Sequence, residues 1–349
     1  NCHRDDGEFK SHLASTVERF YDVCVGHGFL DKPDFYSYGF NFETLKPDGR
    51  KEPMNRFGHA SGVAWIEYVG WKVLGEKKYL AAAETAINWH LQHPARYECT
   101  HMPGPVVVAR LNAELGRDYD LDRMMDIWFG SLGKGWKVTA GTAHGGINTD
   151  GLNGADHGDT RFYAFSMESY QGPAWLIPVV RYDPRYARAI GIFALNAANS
   201  CRILQGFQMD WDHQDHKDWK DKWDPDYLLS YEGALSEDRG LGRFKPYASG
   251  DPVRFGWGPK PKVEPTDYYA QKKAWFSNNP YNISLYMGNH IGMLGGIVAL
   301  TNVEGVLQWD CLKTDFYHDQ AYPTFLYYNP HASTKSVEIE LDASSDLYD

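Results

Sequence analysis

Apolar residues return every three to four positions through most of this chain, and the segments that carry them come in pairs with short connections. Phe9, Leu13, Val17, Phe20, Val23 and Cys24 mark a helix over 9–25. A second is expected over 59–74, stopped by Gly75, and a third over 76–91, with Pro94 just beyond. Further helices are expected over 103–115, 121–129, 175–180, 184–204 and 283–300. Helical hairpins strung along a chain bury their apolar faces by closing into an α/α toroid or by stacking as an open solenoid. There is no fixed-length repeat. The expected fold is mainly α: an incomplete (α/α)n toroid over 1–320 with a short C-terminal β extension over 321–349. Strands are expected over 324–329 and, from a period-2 alternation, over 335–341, with 347–348 opening a third. So few strands are marginal alone, so they either pack on the helices or begin a further β-domain.

Two stretches do not read as helix. Residues 130–159 are rich in Gly, Thr, Asn and His; residues 208–273 are full of Trp, Asp, Lys, Gly and Pro. Long loops in a compact domain are usually functional, and in a toroid they would line the mouth of the central cavity.

Composition removes several function classes. The net charge of −11 and the lack of a basic stripe argue against a general nucleic-acid partner. No apolar run approaches the roughly 20 residues needed to span a bilayer. The P-loop, H-E-x-x-H and G-x-S-x-G patterns are absent, and Gly145-Gly146 and Gly295-Gly296 lack the strand–turn–helix context of a dinucleotide site. None of the five cysteines (Cys2, Cys24, Cys99, Cys201, Cys311) forms a C-x-x-C pair, which makes a structural zinc site improbable. The expectation is therefore no metal and no organic cofactor. The chain opens on Asn1, so it reads as processed, trimmed or excised, with any signal peptide out of view. Twelve Trp and 23 Tyr suit a flat, polar-edged ligand such as a carbohydrate, or a large aromatic core.

Five polar clusters could carry chemistry. Thr142, His144 and Asn148, followed by Asn153, Asp156 and His157, could read hydroxyls or carboxylates, or form a surface loop held by its own turns. In 161–171, helical spacing would align Tyr163 with Tyr170, beside Glu168 and Gln171; the alternative is a packed aromatic stripe. The Asp/His run over 210–219, which includes His213, reads as a sugar-contacting loop, a solvated charged loop or a metal site. Tyr231 and Glu232 precede Arg239, Arg243 and Tyr247. Cationic neighbours stabilise a phenolate, so Tyr247 could move a proton, although a turn tyrosine at a helix end has the same pattern. Finally Tyr286, Asn289 and His290 lie in or beside an otherwise apolar helix, where a histidine is either a core residue or faces a cavity.

β-Elimination on a uronate polymer needs a group to neutralise the C6 carboxylate, a base for the C5 proton and an acid for the leaving O4. Glycoside hydrolysis needs two carboxylates across the bond, with Asp156, Glu168, Glu232 and Asp251 available. A non-catalytic carbohydrate-binding protein is the third possibility.

Several segments carry a resemblance. Gly62-Val-Ala-Trp65 through Lys78-Tyr-Leu-Ala-Ala-Ala83 looks like the repeating helices of α/α-toroid carbohydrate enzymes. The stretch from Val180 to Gly191, Leu195-Asn-Ala-Ala-Asn199, Tyr247-Ala-Ser-Gly-Asp251, Asn289 to Val298, Thr301 to Leu307 and Leu326 to Asp349 are similar to polysaccharide lyase family 38. Members of that family cleave alginate or glucuronan. The resemblance implies a toroid leading into a β-sheet domain and a Tyr/His/Arg elimination site. On that reading Tyr247 is the acid/base and His213 its partner. Arg243 or Arg239 stabilises charge, and Asn199, Glu232 and His290 orient or neutralise the carboxylate. His144, Asn148, His157, Tyr163, Tyr170, Gln171, Tyr231, Tyr286 and Asn289 contact sugar. The partner is then an anionic polysaccharide, and the location secreted or periplasmic. The oligomeric state is left open.

Overall fold

The computed structural model describes residues 6–37, 39–48, 58–96, 98–130, 134–138, 143–144, 147–156, 163–165, 169–202, 233–235, 247–249 and 290–339. The protein is mainly helical. The first helix, α1 (Gly7–Gly26), starts at Asp6, whose carboxylate accepts from the Glu8 and Phe9 amides. A short β1–β2 hairpin (Gly39–Asn41, Lys46–Asp48) precedes α2 (Ala60–Leu74) and α3 (Lys77–Gln92). Gly75 ends α2 at φ 77°, the left-handed cap that the sequence calls for. Next come β3 (Ala95–Arg96), α4 (Gly104–Leu115) and α5 (Leu121–Phe129), the last capped by Asp120. These five helices agree closely with their apolar periodicity. Helix α2 packs against α1, α3 and α4. It crosses α1 where Gly70 leaves room for Val17: a Cβ there would lie 2.3 Å from the valine Cγ1. Tyr68, Ala83, Ile87, Leu111 and Trp128 anchor one continuous core.

Most of the described residues in the stretch read as a Gly-rich loop are strand. It holds β4 (Lys134–Val138), the tiny β5–β6 hairpin (Ala143–His144, Ile147–Asn148), and β7 (Asn153–Asp156). The β8 strand (Tyr163–Phe165) follows, and β9 (Gly233–Leu235) and β10 (Tyr247–Ser249) lie within the second supposed loop. Together they form a six-stranded sheet in the order β10-β9-β8-β7-β4-β3, with only β3 and β4 parallel. The helical alignment of Tyr163 with Tyr170 is thus corrected: Tyr163 is in β8, paired on both sides, and pairing overrides a helical pattern.

The expected helix over 175–180 is two short pieces, α6 (Gly172–Leu176) and α7 (Val179–Tyr182), divided at Pro178, which has no amide to continue the ladder. The expected 184–204 helix is a 3-10 turn, Pro184–Tyr186, leading into α8 (Ala187–Arg202). The last expected helix, placed over 283–300, stops early: α9 covers 290–297 of the described residues and Val298–Leu300 is strand β11. With β12 (Leu307–Asp310) and β13 (Phe325–Tyr327) it makes an antiparallel three-stranded sheet, so strand structure begins well before residue 321. Trp309, Cys311 and Leu326 from this sheet join the helical core. The alternating 335–339 segment is not strand. Asn302 brackets it instead, accepting from the Glu338 amide at 2.9 Å and donating to the Ser336 carbonyl at 3.2 Å.

One buried charge cluster fastens the C-terminal part to the helices. Arg110 on α4 donates to Asp315 Oδ1 at 3.0 Å, to the Phe316 carbonyl at 2.6 Å and to Glu114 at 2.9 Å. Asp315, fully buried, also pairs with Arg181 and accepts from the Tyr182 hydroxyl at 2.6 Å. Removing one partner of a buried pair strands the other charge at a cost of about 3–5 kcal/mol. Asp315→Ala is therefore expected to lower unfolding stability by roughly that amount in urea titrations, whereas Asp183→Ala, whose Arg185 partner is exposed, should cost about 1 kcal/mol or less.

Glu67 on α2 is fully buried, and neither carboxyl oxygen meets a hydrogen-bond partner among the described residues. Burial, reinforced by the nearby Glu18 carboxylate and opposed by Lys78, raises its pKa from 4.5 to about 9. The folded state holds a proton that the unfolded chain releases above pH 4.5, so Glu67 lowers stability progressively from pH 4.5 to 9. Glu67→Gln should be more stable than the parent, with a gain that grows by up to about 1.4 kcal/mol per pH unit across that window in pH-dependent melts.

Candidate functional site

The register of the large sheet brings distant residues together. Tyr247 pairs with Leu235, Leu235 with Tyr163, Tyr163 with Ala155, and Ala155 with Trp136. Directly opposed residues in antiparallel strands occupy the same face, so Tyr247 and Tyr163 share a register row two strands apart, about 9.5 Å at the usual interstrand spacing. The parallel row, Val138–Asn153–Phe165–Gly233–Ser249, lies on the same face. Arg96 pairs with Gly135, on the alternate face, and its guanidinium donates to the Ile127 carbonyl of α5 at 3.3 Å.

The central strand β7 is fixed from both ends of its approach. Gly151, at φ 89°, passes so close to α8 that a Cβ there would lie 2.5 Å from the Ala197 nitrogen. The Ser200 hydroxyl donates to the Asp150 carbonyl at 2.6 Å. Then the Asn153 amide donates to Ser169 Oγ at 2.6 Å, tying the sheet to the turn that opens α6.

Two residues beyond Ser169, Gln171 meets His290. The Trp175 indole donates to Gln171 Oε1 at 3.4 Å, which orients the side-chain amide, and the amide nitrogen then donates to His290 Nδ1. Burial lowers the His290 pKa to about 4, so the ring is neutral at physiological pH. Residues 119 positions apart thus form one neutral pair, held two residues from the sheet's anchor.

A second set of imidazoles, not marked by any sequence motif, gathers at the β3 edge. His90 at the end of α3 is buried with both ring nitrogens lacking a hydrogen-bond partner among the described residues. Burial first, and the Arg96 charge second, lower its pKa to about 4. His101 lies against Trp128, ring centroids 6.2 Å apart, and Arg96 and His101 are both buried. The signal that could have exposed this set is its clustering along the chain, within residues 90–101.

The other expected site residues divide. Tyr170 is buried and its hydroxyl donates to the Cys201 carbonyl at 3.1 Å, fastening α8. Asn199 is exposed on the side of α8 opposite Ala197 and Cys201, and the structure does not bring it to the Gln171–His290 pair. His144 and Asn148 stand on β5 and β6, which pair with each other and not with the large sheet. His157, His213, Tyr231, Glu232, Arg239, Arg243, Tyr286 and Asn289 lie outside the described residues, as do Glu168 and Asp251. Among the described residues no group of three or more His, Cys, Asp or Glu could hold a metal ion, and no helix is long and apolar enough to cross a membrane. The pKa values of the Cys24, Cys201 and Cys311 thiols are raised chiefly by burial, which leaves them poor nucleophiles.

Comparison of the chain with protein-family models, curated proteins and solved structures found no match.

Because the folded pKa of His290 lies below the unfolded value of 6.5, protons bind the unfolded chain first on acidification. Stability is lost from pH 6.5 down to pH 4, by up to about 3 kcal/mol for this residue. His290→Gln should flatten the stability–pH profile in that window while leaving the slope above pH 7 unchanged.

Proposed function

We propose that the protein is a polysaccharide lyase that cleaves a uronate-containing polymer, of the alginate or glucuronan kind, by β-elimination. The observation that carries this reading is the juxtaposition of Tyr247 and Tyr163 in one register row, on a sheet tied through Asn153 and Ser169 to the neutral Gln171–His290 pair. The antiparallel packing of α2 and α3 and of α4 and α5 supports an incomplete (α/α) toroid as the catalytic body, with the C-terminal strands as its β extension.

In this mechanism the C6 carboxylate of the uronate is neutralised by hydrogen-bond donors beside the Gln171–His290 pair, so that the C5 proton becomes acidic. A base removes that proton, with His213 and Tyr247 as the pair that shares the work. The C5–H electrons form the C4=C5 double bond, the C4–O4 bond breaks, and O4 takes a proton from Tyr247. Arg239 or Arg243 lowers the cost of a transient phenolate, and Glu232 orients the carboxylate. Each step uses side chains alone.

The test is to incubate the protein with alginate and with glucuronan and follow the ultraviolet absorbance of the unsaturated uronate. A rise is expected, and Tyr247→Phe should reduce it by at least about 100-fold with folding intact. New reducing ends without unsaturated product would replace elimination by hydrolysis and move the chemistry to Glu232 and Asp156. Polymer binding without any bond cleavage would make the chain a binding protein.

A further inference from the structure

We propose that Glu67 makes α1 a proton-controlled flap: with the carboxyl protonated the helix lies closed on α2 and α3, and loss of that proton lifts it away, turning at Gly26–Gly28.

The place of the carboxyl is the first argument. Glu67 and Gly70, three residues apart on α2, share the face that α1 covers, since Gly70 leaves the space that Val17 fills. Glu67 is fully buried, and neither oxygen finds a hydrogen-bond partner among the described residues. An ionised carboxylate there would be uncompensated, so the closed arrangement favours the neutral acid.

Its surroundings are the second. Glu18 and Cys24 approach from α1 and Lys78 from α3, while Tyr79 of α3 donates to Glu18. Lys78 is committed to Glu18, at 2.9 Å. Hydrogen bonds from Tyr79 and Lys78 hold Glu18 below the usual carboxylate range. The pKa values of Tyr79 and Cys24 are raised chiefly by burial, and that of Lys78 by its bond to Glu18. Between pH 5.5 and 7.5 these neighbours therefore keep their charge. The other elements against α2 meet different positions: Arg110 and Glu114 of α4 reach Tyr68, and Thr100 lies against Gly62. His27, which caps α1, stacks on Phe29 with ring centroids 4.7 Å apart.

The third is how lightly α1 is held. Residues 7–16 are exposed or half-buried, and only Val17, Val23 and Cys24 of the helix are buried. It packs chiefly on α2 and α3. The chain leaves it through Gly26, His27 and Gly28, the last at φ 68°, which supplies a turning point. A peripheral helix with little buried surface opens at lower cost than the core.

Opening returns Glu67 to water and to its ordinary pKa of 4.5, against about 9 when closed. The closed form holds a proton that the open form releases, so the open-to-closed ratio rises about tenfold per pH unit between those values. Acid closes the flap and alkali opens it.

Hydrogen exchange of the full chain, read by mass spectrometry and corrected for the intrinsic effect of pH, tests this. Protection of amides 17–25 should fall about 100-fold from pH 5.5 to 7.5 and stay below that of α4 throughout. In Glu67→Gln it should be higher and change less than about threefold; any effect of His27 is common to both proteins. A fall of less than about tenfold in the parent would overturn the flap, as would an equal fall in Glu67→Gln. Equal protection of α1 and α4 at every pH would also overturn it, because the proton would then leave only on global unfolding. Should Glu67→Gln fail to fold in thermal melts, Glu67→Met serves, with the same expected and overturning results. Pulse labelling of Cys24 with a maleimide, located by mass spectrometry, reads the motion independently. The rate should rise about 100-fold per pH unit in the parent, where opening and thiolate formation each contribute tenfold, and about tenfold in Glu67→Gln. Equal slopes would overturn the proposal.

Discussion

Arg110 and Asp315 hold the molecule together. The guanidinium lies over the Tyr68 ring, 4.9 Å from its centroid, and reaches three backbone or side-chain acceptors in the C-terminal segment. Tyr317 is kept at φ 57°, a conformation that tyrosine adopts only when its surroundings demand it, and its carbonyl accepts from the same guanidinium at 3.3 Å. Tyr68 and Lys72 of α2 complete the cluster by binding Glu114 at 2.5 and 3.2 Å. One residue on α4 thereby locks α2, α7 and the 315–317 turn, and through that turn the C-terminal sheet. Its charge is tolerable in the interior because each of its directions ends on an acceptor.

The candidate site depends on this frame. His290 begins the described part of α9, which runs directly into β11, and β11 belongs to the sheet that the Arg110 cluster fastens. Gln171 opens α6, whose Ala174 carbonyl accepts from the Thr314 hydroxyl at 2.7 Å, beside Asp315. Both members of the Gln171–His290 pair are thus positioned from the same anchored segment. The remaining connection, from Asn153 to Ser169, joins them to the sheet that bears Tyr163 and Tyr247. A site assembled from such distant segments needs this kind of rigid support, because small displacements separate a donor from its acceptor.

Legibility followed the range of the forces involved. Helices α1 to α5 were plain, since a long apolar period and local caps such as Asp6, Gly75 and Asp120 specify them within a few turns. The strands of the large sheet were not. They are two to five residues long, too short to show alternation, and β9 finds β8 across some 70 residues of chain. The opposite error occurred at 335–339, where alternation was present but Asn302, not a neighbouring strand, took the backbone groups. Gln171, His290, Tyr163 and Tyr247 were each marked as polar or aromatic residues in unusual settings. Nothing in their order along the chain could pair them.

By itself, then, the sequence determined a helical body, its caps and connections, and which titratable and aromatic residue types the chain has available. These are matters of local periodicity and side-chain identity. Tertiary structure alone decided that Tyr163 is strand, that Tyr247 shares its register row, that Gln171 donates to His290, and that Glu67 and His90 lie out of reach of water. Those outcomes depend on which distant surfaces meet and on how much solvent their meeting excludes, and neither is encoded in any short stretch of chain.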